Sequence, residues 1–260
     1  MTINSAQNVV QYLRLMRMKT DTWYKKLGFK ENPLSIKPKD GEKLLGNEDK
    51  INKIIDSVGK GRLILVEGDY GFGKSTLLKR IIDKFKGEYR IIYYSCNRKN
   101  ASIDYDKMLI RAGSLFHRLF KIKKKHVILL LDEAQDMNIK DKKLLLSYFD
   151  DGYFHSVVLV SNGNQPDFSD KEFKERIGNE HYVLTRPNEE LALKLVRDRI
   201  GNLELISDDI IKKVYKHSKN PRQLLEDIED LCRFAVENNK DKISEDDLRE
   251  VLGYDAKYDD

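Results

Sequence analysis

Gly68-Asp69-Tyr70-Gly71-Phe72-Gly73-Lys74-Ser75 is the stretch that decides how this chain reads. It fits the pattern GxxxxGK[ST], and its flanks supply the context that pattern requires. Upstream, Arg62-Leu63-Ile64-Leu65-Val66-Glu67 reads as a buried strand; downstream, Lys74 to Phe85 reads as a helix. In such a strand–loop–helix unit the glycines let successive backbone N–H groups turn inward around phosphate oxygens, and the helix N-terminus adds the positive end of its dipole. Lys74 would reach the β- and γ-phosphates and the Ser75 hydroxyl would ligate Mg2+, with Thr76 offering a second hydroxyl beside it.

About 60 residues further on, His126 to Leu131 is an apolar strand that ends in Asp132-Glu133. A carboxylate at the C-terminal edge of a strand beside a phosphate loop can hold Mg2+, which is the expectation for Asp132. Glu133, next in the chain, is placed to polarise a water for in-line attack on the γ-phosphorus.

The remaining pattern extends this unit in both directions. A short helix over Glu48 to Val58 precedes the first strand, and Tyr89 to Ser95 is a second strand. Tyr105 to Phe120 reads as one helix, Lys140 to Phe149 as another, Ser156 to Ser161 as a fourth strand and His181 to Leu184 as a fifth. Apolar strands alternating with helices predict an α/β fold, a five-stranded parallel sheet covered on both faces. After Pro187 the pattern is helical: Asn188 caps Glu189 to Ile200, Ser207 caps Asp208 to Ser218, and Pro221 opens a helix to Glu237. Ser244 with Asp247 starts a last helix, stopped by Gly253. The expected organisation is an N-terminal helical extension over 1–30, a nucleotide-binding α/β domain over 31–186, and a small all-helical lid over 187–260. Helical spacing also covers Ser5 to Lys19, and the apolar and basic side chains of Tyr12 to Phe29 suit a helix docked on the chain's own core, on a neighbour, or on a membrane surface.

Composition narrows the classes. With 260 residues, 40% apolar and 35% charged, the chain has material for one sizeable core and a second, smaller one. Its 5 prolines and 15 glycines exclude a collagen-like or low-complexity protein. Cys96 and Cys232 lie far apart and the five histidines are scattered, so neither a disulfide framework nor a zinc pattern is visible. No apolar run approaches a membrane span, and Met1 to Ser5 opens no signal peptide, which makes the cytoplasm the expected location. The net charge of +5 conceals a division. Residues 1–130 carry 28 basic and 13 acidic side chains, and residues 131–260 carry 20 and 30. A +15 half beside a −10 half suits a polyanionic partner, head-to-tail contact between copies, or simply a solvated lysine-rich surface. The densest basic run, Arg118 to Lys125, reads equally as a phosphate-neutralising loop or a solvated one.

Taken with the loop at 68–75, Leu130-Leu131-Asp132-Glu133-Ala134-Gln135 resembles the paired nucleotide motifs of the AAA+ ATPases, and further matches follow in that family's order. Leu44-Leu45-Gly46-Asn47-Glu48 is similar to the segment that contacts adenine, which implies Leu45 and Gly46 as nucleotide contacts. Ser161-Asn162-Gly163 resembles sensor 1, implying that Asn162 bonds the γ-phosphate or the attacking water, with Asn164 as a competitor. Phe173 to Ile177 resembles the region of the arginine finger, implying that Arg176 acts in trans on a neighbouring subunit's γ-phosphate, with Arg186 as a rival. Asn220-Pro221-Arg222 resembles sensor 2, with Arg222 directed to the nucleotide. The pattern is most similar to Orc1/Cdc6-like initiators and to the TniB, TnsC and ExeA kind of ATPase. The resemblance implies ATP and Mg2+ as cofactors, slow assembly-dependent hydrolysis, a homo-oligomeric ring or filament, and a DNA transaction such as replication initiation or transposition with a helicase or transposase partner. Arg98 and Lys99, on the loop that approaches the channel of related rings, are the candidate DNA contacts. Two other readings remain: a secretion or envelope ATPase of the ExeA type, and a nucleotide-gated recruiting module with little turnover.

Overall fold

Residues 22–37, 45–97, 102–163, 168 and 170–253 are described by a computed structural model of the chain. They form two compact units, one comprising residues within 38–185 and the other residues within 1–37 and 186–260.

The α/β unit begins with α2 (Glu48–Gly59), a label that leaves α1 for the short helix Trp23–Lys26 of the other unit. Then follow β1 (Leu63–Glu67), α3 (Lys74–Phe85), β2 (Arg90–Ser95), α4 (Tyr105–Ala112), α5 (Leu115–Leu119), β3 (Val127–Asp132), a 3-10 turn (Ala134–Asp136), α6 (Ile139–Asp150), β4 (Phe154–Ser161), α7 (Lys171–Ile177) and β5 (His181–Val183). The five strands are parallel in the order β2-β3-β4-β1-β5.

Why the strands read as unbroken apolar runs is clear from their two faces. Leu63, Leu65, Leu129, Leu131, Val157 and Leu159 point to one side, against Leu109 of α4 and Leu145 of α6. Ile64, Val66, Ile128, Leu130, Val158 and Val160 point to the other, against Ile51 and Ile54 of α2 and Leu77, Ile81 and Phe85 of α3. Successive residues of a strand face opposite ways, so a sheet covered on both sides needs no polar alternation. Each such buried side chain contributes about 1.5–3 kcal/mol.

The helical unit holds α1, α8 (Glu189–Ile200), α9 (Asp208–His217), α10 (Pro221–Glu237) and α11 (Glu245–Leu252). Asn188 and Ser207 cap as the sequence predicts, and Asn220 adds a cap before Pro221. The side chains of Asn188, Ser207 and Asn220 accept from the backbone N–H groups of Leu191, Ile210 and Gln223. Gly253 closes α11 at φ +69°, a left-handed conformation that suits glycine.

Two expectations change. The segment 31–37 packs with the helical unit and not with the α/β domain: Trp23 and Leu34 are buried in a core with Val196, Ile211, Leu224 and Ile228, and Arg199 donates to Ser35 O at 2.7 Å. The described part of the N-terminal extension is thus core material of the helical unit, and the expected helix over Ser5 to Lys19 lies outside the described residues. Secondly, Tyr105 to Phe120 is not one helix. The chain is extended at Gly113 (φ −78°, ψ 177°), and α5 starts afresh after Ser114.

Candidate nucleotide site

Strand order brings the site together. β3, β4 and β1 are neighbours, and the register pairs Leu131 with Leu159 and Glu67 with Ser161. Asp132-Glu133, Asn162 and the 68–75 loop therefore leave the sheet side by side at its C-terminal edge. The loop fits tightly: Gly68 N–H donates to Ser161 O at 3.3 Å, and a Cβ at Gly68 would stand 3.1 Å from the Leu184 Cβ. Gly71 and Gly73 take φ of +83° and +88°, the left-handed region open to glycine, and Gly73 caps α3. In the first turn of α3 the N–H groups of Lys74, Ser75 and Thr76 have no carbonyl within the helix to bond, so they are donors available to an anion.

Lys74 is buried, and its Nζ donates to Gly68 O at 2.6 Å, Asp69 O at 3.0 Å and Asn162 Oδ1 at 2.7 Å. Burial pulls its pKa below the usual lysine value, against the opposing pull of the Glu133, Asp132 and Asp69 carboxylates. Asn162 turns its other end to Glu133, donating from Nδ2 to Oε2 at 2.9 Å. Gln135 donates to the same oxygen at 2.5 Å and accepts the Asn162 backbone N–H at 3.1 Å. The result is a continuous chain, Lys74–Asn162–Glu133–Gln135. Glu133 itself has φ +54°, and a side chain held in the left-handed region stores strain of about 1–3 kcal/mol.

Asp132 accepts from the Glu133 N–H at 3.0 Å and from the Tyr93 hydroxyl at 3.0 Å. Partial desolvation of that hydroxyl, on a side chain still 52% exposed, then the bond to Asp132, pushes the Tyr93 pKa up to about 12. Ser75 and Asp132 line one cavity of about 270 Å³ with Tyr93 and Lys79. One hydroxyl and one carboxylate on a shared cavity are the oxygen donors that Mg2+ takes when phosphate oxygens complete its shell, so the residues fit that ion.

The other expected positions stand as follows. Asp69 and Tyr70 are exposed on the loop and Phe72 is half-buried. Leu45 is half-buried and Gly46 exposed at φ +86°, leading into buried Asn47, which bonds Thr185 through both ends of its amide (2.9 and 3.1 Å). Arg176 lies on the last turn of α7, with Nη2 on Asp150 at 2.5 Å and Nη1 on Glu172 O at 3.1 Å. In the helical unit, Arg222 directs Nε to Glu226 at 3.3 Å, and Arg186 lies over the Tyr215 ring, 4.0 Å from its centroid. Arg98, Lys99 and Asn164 lie outside the described residues. Ser102 Oγ and Ile103 N–H both donate to the buried Asp141 carboxylate (2.6 and 3.0 Å).

Sequence reasoning missed Gln135, Tyr93 and Asn47. Gln135 had a signal, its place two residues after Glu133; Tyr93 had none, since nothing in an apolar strand tells which hydroxyl meets a carboxylate on the neighbouring strand.

The parallel sheet, the glycine loop at its C-terminal edge and the paired carboxylates define a P-loop domain of the AAA+ type. Residues 60–187 match the family model described as AAA domain. Among solved structures, Cdc6p from Pyrobaculum aerophilum is 13% identical, with 85% of this chain and 70% of that one covered and a TM-score of 0.66. Aeropyrum pernix Orc1, solved in complex with DNA, is 12% identical over 85% and 69% (TM-score 0.64), and a variant of Thermotoga maritima RuvB is 18% identical over 84% and 72% (TM-score 0.65). No curated protein matches the chain. The fold is that of an AAA+ ATPase resembling Orc1/Cdc6, a class whose members generally hydrolyse nucleotide with Mg2+. Among the described residues no helix is long and apolar enough to cross a membrane.

Proposed function

We propose that this protein binds and hydrolyses ATP with Mg2+ and works as an oligomeric nucleotide switch in a DNA transaction. The observation that carries the ATPase reading is the Lys74–Asn162–Glu133–Gln135 chain at the mouth of the glycine loop. Lys74 and the first-turn N–H groups of α3 hold the phosphates, while Ser75 and Asp132 hold the metal, which neutralises charge on the phosphoryl oxygens. Glu133 accepts a proton from the attacking water, and Asn162, bonded to Glu133, orients it toward the γ-phosphorus. Leu45 and Gly46 as adenine contacts, Arg176 as a finger offered to a neighbour and Arg222 as a nucleotide sensor rest on the resemblance.

Lys74→Ala should abolish ATP binding measured by calorimetry. Glu133→Gln should bind ATP as the parent does and lose hydrolysis about 100-fold or more. Turnover equal to the parent in Glu133→Gln would overturn the catalytic assignment.

For DNA the support is the +15 charge of residues 1–130 and the fold shared with an Orc1 solved on DNA. Cations that neutralise phosphates release counterions, so log K should fall linearly with log salt, and replacing Arg98 and Lys99 by alanine should flatten that slope. Absence of DNA association at low salt with ATP present would leave a protein partner as the reading to pursue.

A further inference from the structure

Between Asp106 and Asp132 the chain carries seven Lys and Arg and no carboxylate. Within that stretch α5 and the turn after it hold four large apolar side chains in water: Leu115 is 81% exposed, Leu119 77%, and Phe116 and Phe120 60% each. Ile122 is exposed beside them. Single exposed apolar residues need no explanation, but a cluster of this kind does.

The cluster sits on a fixed corner. A Cβ at Gly113 would stand 2.4 Å from the His117 Cβ, so the chain can turn from α4 into α5 this closely only at a glycine. Ser114 Oγ and His117 Nδ1 are 2.9 Å apart, Arg118 Nη2 donates to Arg111 O at 3.0 Å, and Ile122 N–H donates to His117 O at 2.8 Å. The Phe116 and Phe120 rings lie 4.6 Å apart. Flanking them, Arg118, Lys121 and Lys124 are exposed. A neighbouring cavity of about 640 Å³, between β2 and α4, is bordered by Arg90, Lys107, Arg111 and Arg118 over half-buried Ile92 and Met108, with Asp104 the one carboxylate among the described residues that line it.

We propose that this corner is a peripheral membrane-docking surface, in which the Leu115, Phe116, Leu119 and Phe120 side chains enter the interfacial region of an anionic bilayer and the surrounding lysines and arginines meet its phosphate head groups. Apolar tips ringed by cations are what an anionic lipid surface selects, because burial of the tips and attraction of the ring add. A nucleic acid would meet the cations but leave four aliphatic and aromatic side chains in water. The surface is carried by residues that take no part in the nucleotide site, so it stands or falls apart from the ATPase reading.

The test is flotation of the full chain with vesicles of phosphatidylcholine alone or mixed with phosphatidylglycerol. The parent should float with the mixed vesicles and bind phosphatidylcholine more weakly. Replacing Leu115, Phe116, Leu119 and Phe120 together by serine should cut the partition coefficient about tenfold or more, as should Lys121→Glu with Lys124→Glu. These positions are exposed, so circular dichroism and ATP affinity should match the parent and separate a docking defect from a folding one. No flotation of the parent, or equal flotation of the serine variant, overturns the proposal. So does a parent that fails to float yet self-associates through the same four side chains, since the surface is then an interface between copies.

Discussion

Gln135 holds Glu133 from one end of its amide and receives the Asn162 N–H at the other, so one neutral side chain ties the carboxylate on the β3 loop to the asparagine on the β4 loop. Glu133 has the left-handed backbone to maintain as well, and without Gln135 only Asn162 among the described residues is left to aim its Oε2. Gln135→Ala should therefore lower kcat about tenfold, while KM for ATP stays within about twofold, because Gln135 positions a group that acts on water and not on the phosphates. Unchanged kcat in steady-state assays would show that Asn162 alone aims the carboxylate. At this scale the gathering of Lys74, Ser75, Asp132, Glu133 and Asn162 at one sheet edge was legible in the sequence, because each follows a strand end at a short offset. The contact of Tyr93 with Asp132 and that of Gln135 with Asn162 were not, because those partners come from other strands, and which strands adjoin is not written locally.

Elements whose ends are set by local chemistry were the most legible. Asn188 and Ser207 precede their helices with a side-chain acceptor, and Gly253 ends one with a left-handed turn. Helix α11 shows what such a cap contributes. Ser244 N–H and Oγ donate to buried Asp247 at 2.8 and 3.0 Å, and Lys240 pairs with the same carboxylate. Burial alone would raise the Asp247 pKa, but these donors outweigh it and hold the group below the ordinary carboxylate range. A depressed folded-state pKa adds stability above the unfolded value of about 3.9, and that increment is lost as pH falls through the lower, folded value. Asp247→Ala should destabilise the protein by about 1–3 kcal/mol at pH 7, and the difference from the parent should narrow below pH 4 in urea unfolding. A gap that persists undiminished in acid would mean that the charge is not what stabilises the cap. By contrast, the break at Gly113 was illegible: the residues on either side have helical spacing, and only the closeness of His117 shows why the corner must hold a glycine.

At the scale of the whole molecule, the assembly expected from the charge halves turns on Arg176. Its guanidinium is bound to Asp150 of its own chain, and both side chains are about a third exposed or more. An ion pair so exposed is worth about 0–1 kcal/mol, so exchanging Asp150 for a neighbour's phosphate is energetically open. Arg176→Ala should change stability by less than about 1 kcal/mol and leave ATP affinity near the parent's, yet lower specific activity at protein concentrations where copies associate. Mixing it with Glu133→Gln should restore part of the activity, since a mixed interface pairs an intact Arg176 with an intact Glu133. Specific activity independent of concentration and of mixing would end the shared-site reading.

The amino-acid sequence by itself determined the strands, most of the helices, the glycine loop and the two carboxylates that end β3, because glycine conformations, caps and apolar runs act within a few residues of chain. Tertiary structure alone decided the rest. The order β2-β3-β4-β1-β5 put Asn162 between Lys74 and Glu133, and folding placed Trp23 and Leu34 in the core of a unit whose other helices begin at Glu189. It also left Leu115, Phe116, Leu119 and Phe120 in water, although their spacing matches that of a buried helix face. Burial is a property of what the rest of the chain brings alongside, and residues far apart in sequence carry no local mark of meeting.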